Sequence, residues 1–307
     1  MTLRVGTRAS SLSRLQTDWV LKQLRSLDPR VRFSVLPVRT AGDRSARPIP
    51  ELGGAGWFTK ELERALLDGV VDLVVHSLKD LPTEPTPGLV VAAVPPREDP
   101  RDALVGAWPS LDDLPAQSRV GTSSPRRKAQ LLAYRHDVQV VPLRGNVDTR
   151  LRKVAFGEPS AAVLAAAGLV RGGWQDHIRQ LLDPDVILPA PGQGALAVQV
   201  READRALVDL VAGLDHPPTH AAVRAERAFL RALGGGCSLP AAALAEFQEG
   251  RLRLRVRVLS EDGTRQVSVQ REGSLDEPER LGQQAAAEVR PFLALVGGTR
   301  WVRSEPR

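Results

Sequence analysis

Aromatic residues make up only 4% of this 307-residue chain, and a single tyrosine is among them. Leu, Val and Ala must therefore supply the core. Cysteine occurs once, as Cys237, which excludes an intramolecular disulfide and leaves no thiol pair for a zinc ribbon or a CxxC redox centre. No apolar run approaches the roughly 18–20 residues of a membrane span, and the N-terminus has no apolar stretch long enough for a signal peptide. These absences lead to the expectation of a soluble protein of a reducing cytoplasm. Lysine is scarce too: Lys22, Lys60, Lys79, Lys128 and Lys153 are set among 42 basic residues. Arginine is the default cation here, so a lysine beside an aspartate, as Lys79 is beside Asp80, points to a use for a compact, titratable ammonium.

No metal site is expected. His216 and His220 have the spacing of two ligands on one helix, but Pro217 and Pro218 between them argue against that helix. Gly53-Gly54-Ala55-Gly56 lacks the Gly-Lys-Ser/Thr that completes a phosphate loop. His76 and Ser77 are neighbours on an extended run, where adjacent side chains point to opposite faces, and this argues against a serine hydrolase.

What is present is an ordinary globular balance, 42% hydrophobic and 25% charged residues, with a net charge of +6 that favours an anionic partner. The length predicts two or three domains and hence room for a cleft between them. Leu3-Arg4-Val5 reads as a strand, Gly6-Thr7-Arg8-Ala9-Ser10 as a turn, and Ser11 to Leu27 as an amphipathic helix that Asp28-Pro29 ends. A second strand, Phe33 to Val38, precedes a stretch with Pro48, Pro50, Gly53, Gly54 and Gly56 that is expected to be a mobile loop. Thr59 to Leu67 reads as a helix. Asp72 to Val75 is then a short apolar strand of the kind buried on both faces of an α/β sheet. His76 to Asp80 lie at its carboxyl end, where open α/β sheets place their ligands.

The middle of the chain repeats this plan. Val120-Gly121-Thr122 echoes Val5-Gly6-Thr7, Val140 to Arg144 echoes Val35 to Arg39, and Ala161 to Leu164 takes the place of Asp72 to Val75. Two β-α-β-α-β units thus follow one another. Pro95 to Asp102 and Pro189 to Gly194 read as crossings between two lobes, with Ala195 to Val200 a strand able to return to the first. The last portion differs in pattern. Ala221 to Leu233 reads as a helix, Gly234 to Ser238 as a loop, and Leu252 to Val258 alternates strictly, as a half-exposed strand does. Asp262-Gly263 marks a hairpin, Gln266 to Gln270 its return strand, and Pro278 to Leu295 a closing helix. The arginines of the alternating strand, Arg253, Arg255 and Arg257, are read as a solvated outer face in preference to a nucleic-acid contact, since neither aromatic partners nor a fold signature accompany them.

Ser124-Pro125-Arg126-Arg127 carries the sharpest chemical signal. Serine is a preferred N-cap and proline a preferred first helical residue, so a helix starts here. Two arginines in its first turn oppose the helix macrodipole, and an external anion bound to the free amides and guanidiniums resolves the conflict. Arg8 occupies the matching turn of the first unit, and Arg144 and Arg150 follow the second unit's middle strand. Cys237, after three glycines, is open to two readings: a small buried hydrophobe, or a nucleophile on a loop that permits close backbone approach.

Taken in order, Gly6-Thr7-Arg8-Ala9-Ser10, Phe58 to Glu63, His76-Ser77-Leu78-Lys79-Asp80-Leu81-Pro82, Arg97 to Asp102, Gly121 to Arg127, Leu143 to Arg150, Pro191 to Gly194 and Gly235-Gly236-Cys237 resemble the hydroxymethylbilane synthase family, also called porphobilinogen deaminase, over essentially the whole chain. The resemblance implies an α/β protein with two periplasmic-binding-protein-like lobes joined by two hinge segments, plus a small α+β C-terminal domain. The divisions expected are 1–97 with 195–216, 98–194, and 217–307. It implies a cytoplasmic, monomeric transferase of haem biosynthesis that joins four porphobilinogen molecules on a dipyrromethane cofactor and releases hydroxymethylbilane, with no nucleic-acid or membrane partner. It assigns the catalytic carboxylate to Asp80 and the thioether attachment of the dipyrromethane to Cys237. Arg8, Ser10, Ser77, Lys79, Thr122, Ser123, Ser124, Arg126, Arg127, Arg144, Gly145, Asn146, Arg150, Arg171 and Gln193 are implied to surround cofactor and substrate. Phe58 and Lys60 are implied to edge a mobile loop, Arg47 to Trp57. The sequence departs from the family mildly, with Pro125 where leucine is frequent.

Overall fold

The computed structural model describes residues 2–38, 40, 56–234 and 239–297. Cys237 and most of the Arg47 to Trp57 stretch lie outside the described residues. Strand β1 (Thr2–Arg8) runs parallel to β2 (Arg32–Val38), Thr2 lying opposite Arg32. Helix α1 (Ser11–Leu27) joins them. Ser10 caps it, the hydroxyl accepting the Ser13 amide at 3.3 Å, and it stops at Asp28, because a residue before proline is kept out of the helical region. After α2 (Lys60–Leu67), β3 (Leu73–Ser77) enters the middle of the sheet. It pairs with β1 on one side and, antiparallel, with β10 (Leu196–Arg201) on the other. Leu73, Val74 and Val75 are buried, each contributing about 1.5–3 kcal/mol from apolar burial. With β4 (Leu89–Ala93) at the edge, the strand order is β2-β1-β3-β10-β4.

A second sheet follows the same plan. Its elements are β5 (Asp102–Gly106), β6 (Arg119–Gly121), α3 (Pro125–Tyr134), β7 (Gln139–Val141), α4 (Val147–Ala155), β8 (Ala161–Ala165), α5 (Ala166–Arg171) and β9 (Ile178–Leu181). The order β7-β6-β8-β5-β9 matches the first sheet position by position, with β5 antiparallel to β8 and β9 as β10 is to β3 and β4. The repeat read from short local identities is therefore a repeat of topology. The chain crosses to the second sheet after β4 and back before β10, so two strands of backbone link the lobes.

Beyond α6 (Arg205–Ala212), α7 (Pro217–Ala232) and α8 (Pro278–Gly297) pack on an antiparallel sheet ordered β11-β12-β13. Its strands are β11 (Ala241–Gln248), β12 (Arg251–Leu259) and β13 (Gln266–Gly273). The expected Asp262-Gly263 hairpin joins the last two, and Gly263, at φ +75°, has no room for a Cβ because its tip lies against the Ala129 carbonyl of α3.

Two expectations are corrected, and one strand is added. Pro217 and Pro218 do not prevent a helix; they open α7, behind His216 as its N-cap, since first-turn amides have no helical partner to lose. His220 thus lies on a helix after all, yet it bonds Asp215 (2.9 Å) and His216 bonds Thr219 (2.8 Å), and no metal-binding group is found among the described residues. Strand β11 was not foreseen. Its Ala241-Ala242-Ala243-Leu244-Ala245 run has helix-forming composition, but those residues are buried as strand, Ala241, Ala243 and Ala245 in the core with α7 and Ala242 and Leu244 on the other face against Leu188. Second, the β12 arginines are not simply a solvated face. Arg255 pairs with Asp185 at 3.0 Å, and Arg257 donates to the Asp185 and Val186 carbonyls and to Gln130, tying the third sheet to the second lobe.

Candidate functional site

The buried strand β3 runs straight into a one-turn 3-10 helix, Leu78–Asp80. This turns Lys79 and Asp80 out at the carboxyl end of the first sheet, half-buried. The Arg8 guanidinium, at the end of neighbouring β1, stands 4.0 Å from the Asp80 carboxylate and 4.2 Å above the Phe58 ring, a cation–π stack. From the second lobe, Arg150 comes close enough for Asp80 to favour its charged form. Its Nε donates to the Gly145 carbonyl at 2.7 Å, a loop in which Gly145 takes φ +113° as only glycine does readily. Asn146 then caps α4 through its backbone without a side-chain cap bond. Asp80, Arg8, Phe58, Lys79 and Arg150 are thus brought together.

Arg126 and Arg127 have a different partner from the one expected. Ser124 does cap α3, accepting the Arg127 amide at 3.4 Å, with Pro125 in the first turn. The anion that settles the two arginines is internal, however: Asp102, fully buried at the start of β5, takes Arg126 at 2.7 Å and Arg127 at 2.7 Å. The two guanidiniums hold the Asp102 carboxyl far below the usual range against the opposing effect of burial. Gln193, on the second crossing, completes the cluster. Its amide donates to Asp102 (2.9 Å) and to the Pro100 carbonyl (2.7 Å) and accepts from Lys79 (3.3 Å).

The hydroxyls serve the loops. Ser123 and Leu143 exchange bonds at 3.1 Å, locking two loops of the second lobe. Thr122 accepts the Ser124 amide at 3.2 Å, Ser10 caps α1, and Ser77 donates to Gln16 at 3.0 Å. Lys60 is exposed at the start of α2. Arg171 ends α5, and Lys153 reaches the Arg144 carbonyl at 3.3 Å.

Electrostatically the site is over-supplied with cations. Burial, followed by Arg127, pushes Lys79 down to about 8, and burial, again followed by Arg127, pushes Arg150 down to about 10. Arg171 is also lowered by burial, with Glu98 opposing. The buried Arg126 Nε lacks a hydrogen-bond partner. Depressed cations and an unsatisfied buried donor, which costs about 1–3 kcal/mol, fit a ligand carrying several carboxylates.

Sequence reasoning missed the residues that hold the lobes together. Glu226 of α7, with no exposed surface, binds Arg97 of the first crossing at 2.6 and 3.0 Å, the Gly192 amide of the second at 2.6 Å, and the Ala245 amide of β11 at 2.8 Å. The signal was there: an acid inside the apolar stripe Ala222, Ala225, Phe229. Gly194, at φ +85°, lets the crossings touch, since a Cβ there meets the Glu98 carbonyl. Behind β3, His76 bonds Gln199 (3.0 Å), which donates to Glu63 (3.0 Å); burial pushes His76 down to about 4.

Two lobes of one topology, meeting at a double crossing with cations of both around one carboxylate, define a two-lobed α/β protein built for an anionic ligand. Residues 3–209 match the family model "Porphobilinogen deaminase, dipyromethane cofactor binding domain" and residues 220–290 match "Porphobilinogen deaminase, C-terminal domain". The chain is 49% identical over 287 residues to the porphobilinogen deaminase of Thermus thermophilus, covering 93% of this chain and 94% of that protein. It is 48% identical to that of Desulforudis audaxviator, covering 93% of each. Among solved structures it is similar to a probable amino-acid ABC transporter extracellular-binding protein from Bacillus subtilis, with 13% identity, a TM-score of 0.41, and 70% of this chain and 90% of that chain covered. The chain belongs to the porphobilinogen deaminase family and is an enzyme with a dipyrromethane-binding region.

Proposed function

We propose that this chain joins four porphobilinogen molecules head to tail, with loss of ammonia, on a dipyrromethane held through a thioether by Cys237, and then releases hydroxymethylbilane by hydrolysis. The observation that carries this reading is Asp80, a carboxylate standing where Arg8 of one lobe and Arg150 of the other converge. When bound, the dipyrromethane supplies the free pyrrole position to which the first unit is joined. In each addition the aminomethyl C–N bond of porphobilinogen breaks, a C–C bond forms, and the accepting carbon gives up its proton. Asp80 is placed to stabilise positive charge on the reacting pyrrole and to take and return that proton. Arg8, Arg144, Arg150, Arg171 and Lys79 hold the acetate and propionate carboxylates, as guanidinium forks do. Arg126, Arg127 and Gln193 contribute from the hinge, the Arg126 Nε being the free donor there. Phe58 and Lys60 edge the cleft. The chain is read as three domains, 1–97 with 195–216, 98–194, and 217–307; the three separate sheets support this division, and Glu226 of α7 bonds Arg97 on the first crossing and Gly192 on the second. No helix among the described residues is long and apolar enough to cross a membrane.

The test is a purified enzyme given porphobilinogen. Ammonia and hydroxymethylbilane are expected, and the intact mass should show two added pyrrole units that Cys237→Ala lacks. Turnover by a protein with an unmodified Cys237 would contradict the attachment, and binding of porphobilinogen without ammonia release would leave only an anion-binding protein.

A further inference from the structure

Helix α7 carries two adjacent charged residues that enter different seams, Glu226 into the crossings and Arg227 into the turn that bears Asp80. Arg227 Nη1 donates to the Leu81 carbonyl at 2.9 Å and the Leu78 carbonyl at 3.5 Å, and Nη2 donates to the Pro82 carbonyl at 2.6 Å. These three carbonyls bracket Asp80. The turn they belong to is one 3-10 turn closed by a single Leu81 amide to Leu78 carbonyl bond of 3.1 Å, too short to hold its own shape. No carboxylate lies within ion-pair distance of Arg227 among the described residues, so its fork is given wholly to backbone. Its charge is felt nearby, since Arg227, with Arg8, helps to keep His76 neutral.

We infer that Arg227 is the positioning residue of Asp80: a guanidinium from the third unit that fixes the catalytic turn of the first lobe from behind. It touches no reacting atom and acts through Asp80. A planar fork satisfies several carbonyls at fixed angles, whereas an ammonium is a point donor. The inference rests on the proposed role of Asp80 in porphobilinogen polymerisation.

The experiment compares wild type, Arg227→Lys, Arg227→Gln, Asp80→Asn and the double variant Arg227→Gln/Asp80→Asn, each with its cofactor mass verified. Displacing a catalytic group by about 1 Å costs on the order of 100-fold in rate. Arg227→Gln should therefore lower kcat by about that factor with KM for porphobilinogen nearly unchanged, and Arg227→Lys should recover part of the loss. The double variant should be no slower than Asp80→Asn alone, as expected of two residues acting as one unit. A kcat equal to wild type in loaded Arg227→Gln overturns the inference. So does a rise in KM alone, which makes Arg227 a binding residue, and so do multiplicative losses in the double variant. Loss of the fold in both single Arg227 variants also overturns it, making the residue a structural strut. An inactive wild type would instead overturn the function on which the inference rests.

Discussion

The central strands of the two lobes occupy the same place and end differently. Val5 of β1 faces Leu73 of β3, and Val120 of β6 faces Ala161 of β8, one residue off the match of Ala161 with Asp72 expected from the sequence, so His76 corresponds to Leu164, Ser77 to Ala165, Lys79 to Ala167 and Asp80 to Gly168. Every polar residue of the first lobe's strand end has an apolar or absent side chain in the second. The converse holds where the chain passes from β1 into α1 in the first lobe and from β6 into α3 in the second. There the second lobe places Arg126 and Arg127 on the buried Asp102, while the first places Arg8, the last residue of β1, against Phe58 and Asp80. One topology used twice has been divided into a lobe that presents an accessible carboxylate, the one proposed for chemistry, and a lobe whose buried carboxylate is held by two guanidiniums. The two aspartates therefore separate by their surroundings: Asp80 is open and single, and Asp102 is closed and doubly paired.

The largest stability effect should follow from the closed one. Asp102→Ala leaves two buried guanidiniums without their anion and should cost about 3–5 kcal/mol, read from urea unfolding. A loss under about 1 kcal/mol, the value of an exposed ion pair, would erase the contrast between the lobes.

Next in size is the response of His76 to acid. The unfolded chain binds a proton at this residue below about 6.5, whereas the folded one does so only below about 4. The unfolded state thus holds more protons between these values, and stability falls as pH is lowered across that window, by about 3 kcal/mol at most. His76→Gln should flatten that part of the stability–pH curve. An unchanged slope would place the acid sensitivity elsewhere.

On the alkaline side Lys79 gives the next effect. Its ammonium is lost near pH 8 in the folded protein, while a carboxylate ligand favours the charged form. Affinity for porphobilinogen should therefore fall as pH rises through about 8, and Lys79→Met should bind weakly at every pH without that step. The smallest effect belongs to Phe58→Leu, which removes the ring under Arg8. It should weaken binding by roughly 0.5–2 kcal/mol, measured by calorimetry.

Much of this division was legible in the sequence, for local reasons. Ser124-Pro125 specified a helix start because capping and a proline at the first position act within a few residues, and α3 begins there. The apolar run before His76 specified a buried strand with Lys79 and Asp80 at its ligand side, and the family resemblance singled out Asp80 of the two. What could not be read locally was which distant charge answers which. Arg126 and Arg127 called for an anion, but that the anion is Asp102 depends on β5 lying beside β8. Glu226 and Arg227 sit on an ordinary amphipathic helix and gain their meaning only where α7 meets both crossings and the Asp80 turn. The alanines of β11 follow the same rule, with sheet packing overriding their helical preference.

The central claim is that Asp80 carries the chemistry while the buried carboxylate carries the structure, and Asp80→Asn tests it most directly. The variant should unfold at the same urea concentration as wild type and carry the same cofactor mass, with turnover of porphobilinogen lower by roughly 100- to 10,000-fold. Turnover within a few-fold of wild type in a folded, loaded Asp80→Asn protein would contradict the account.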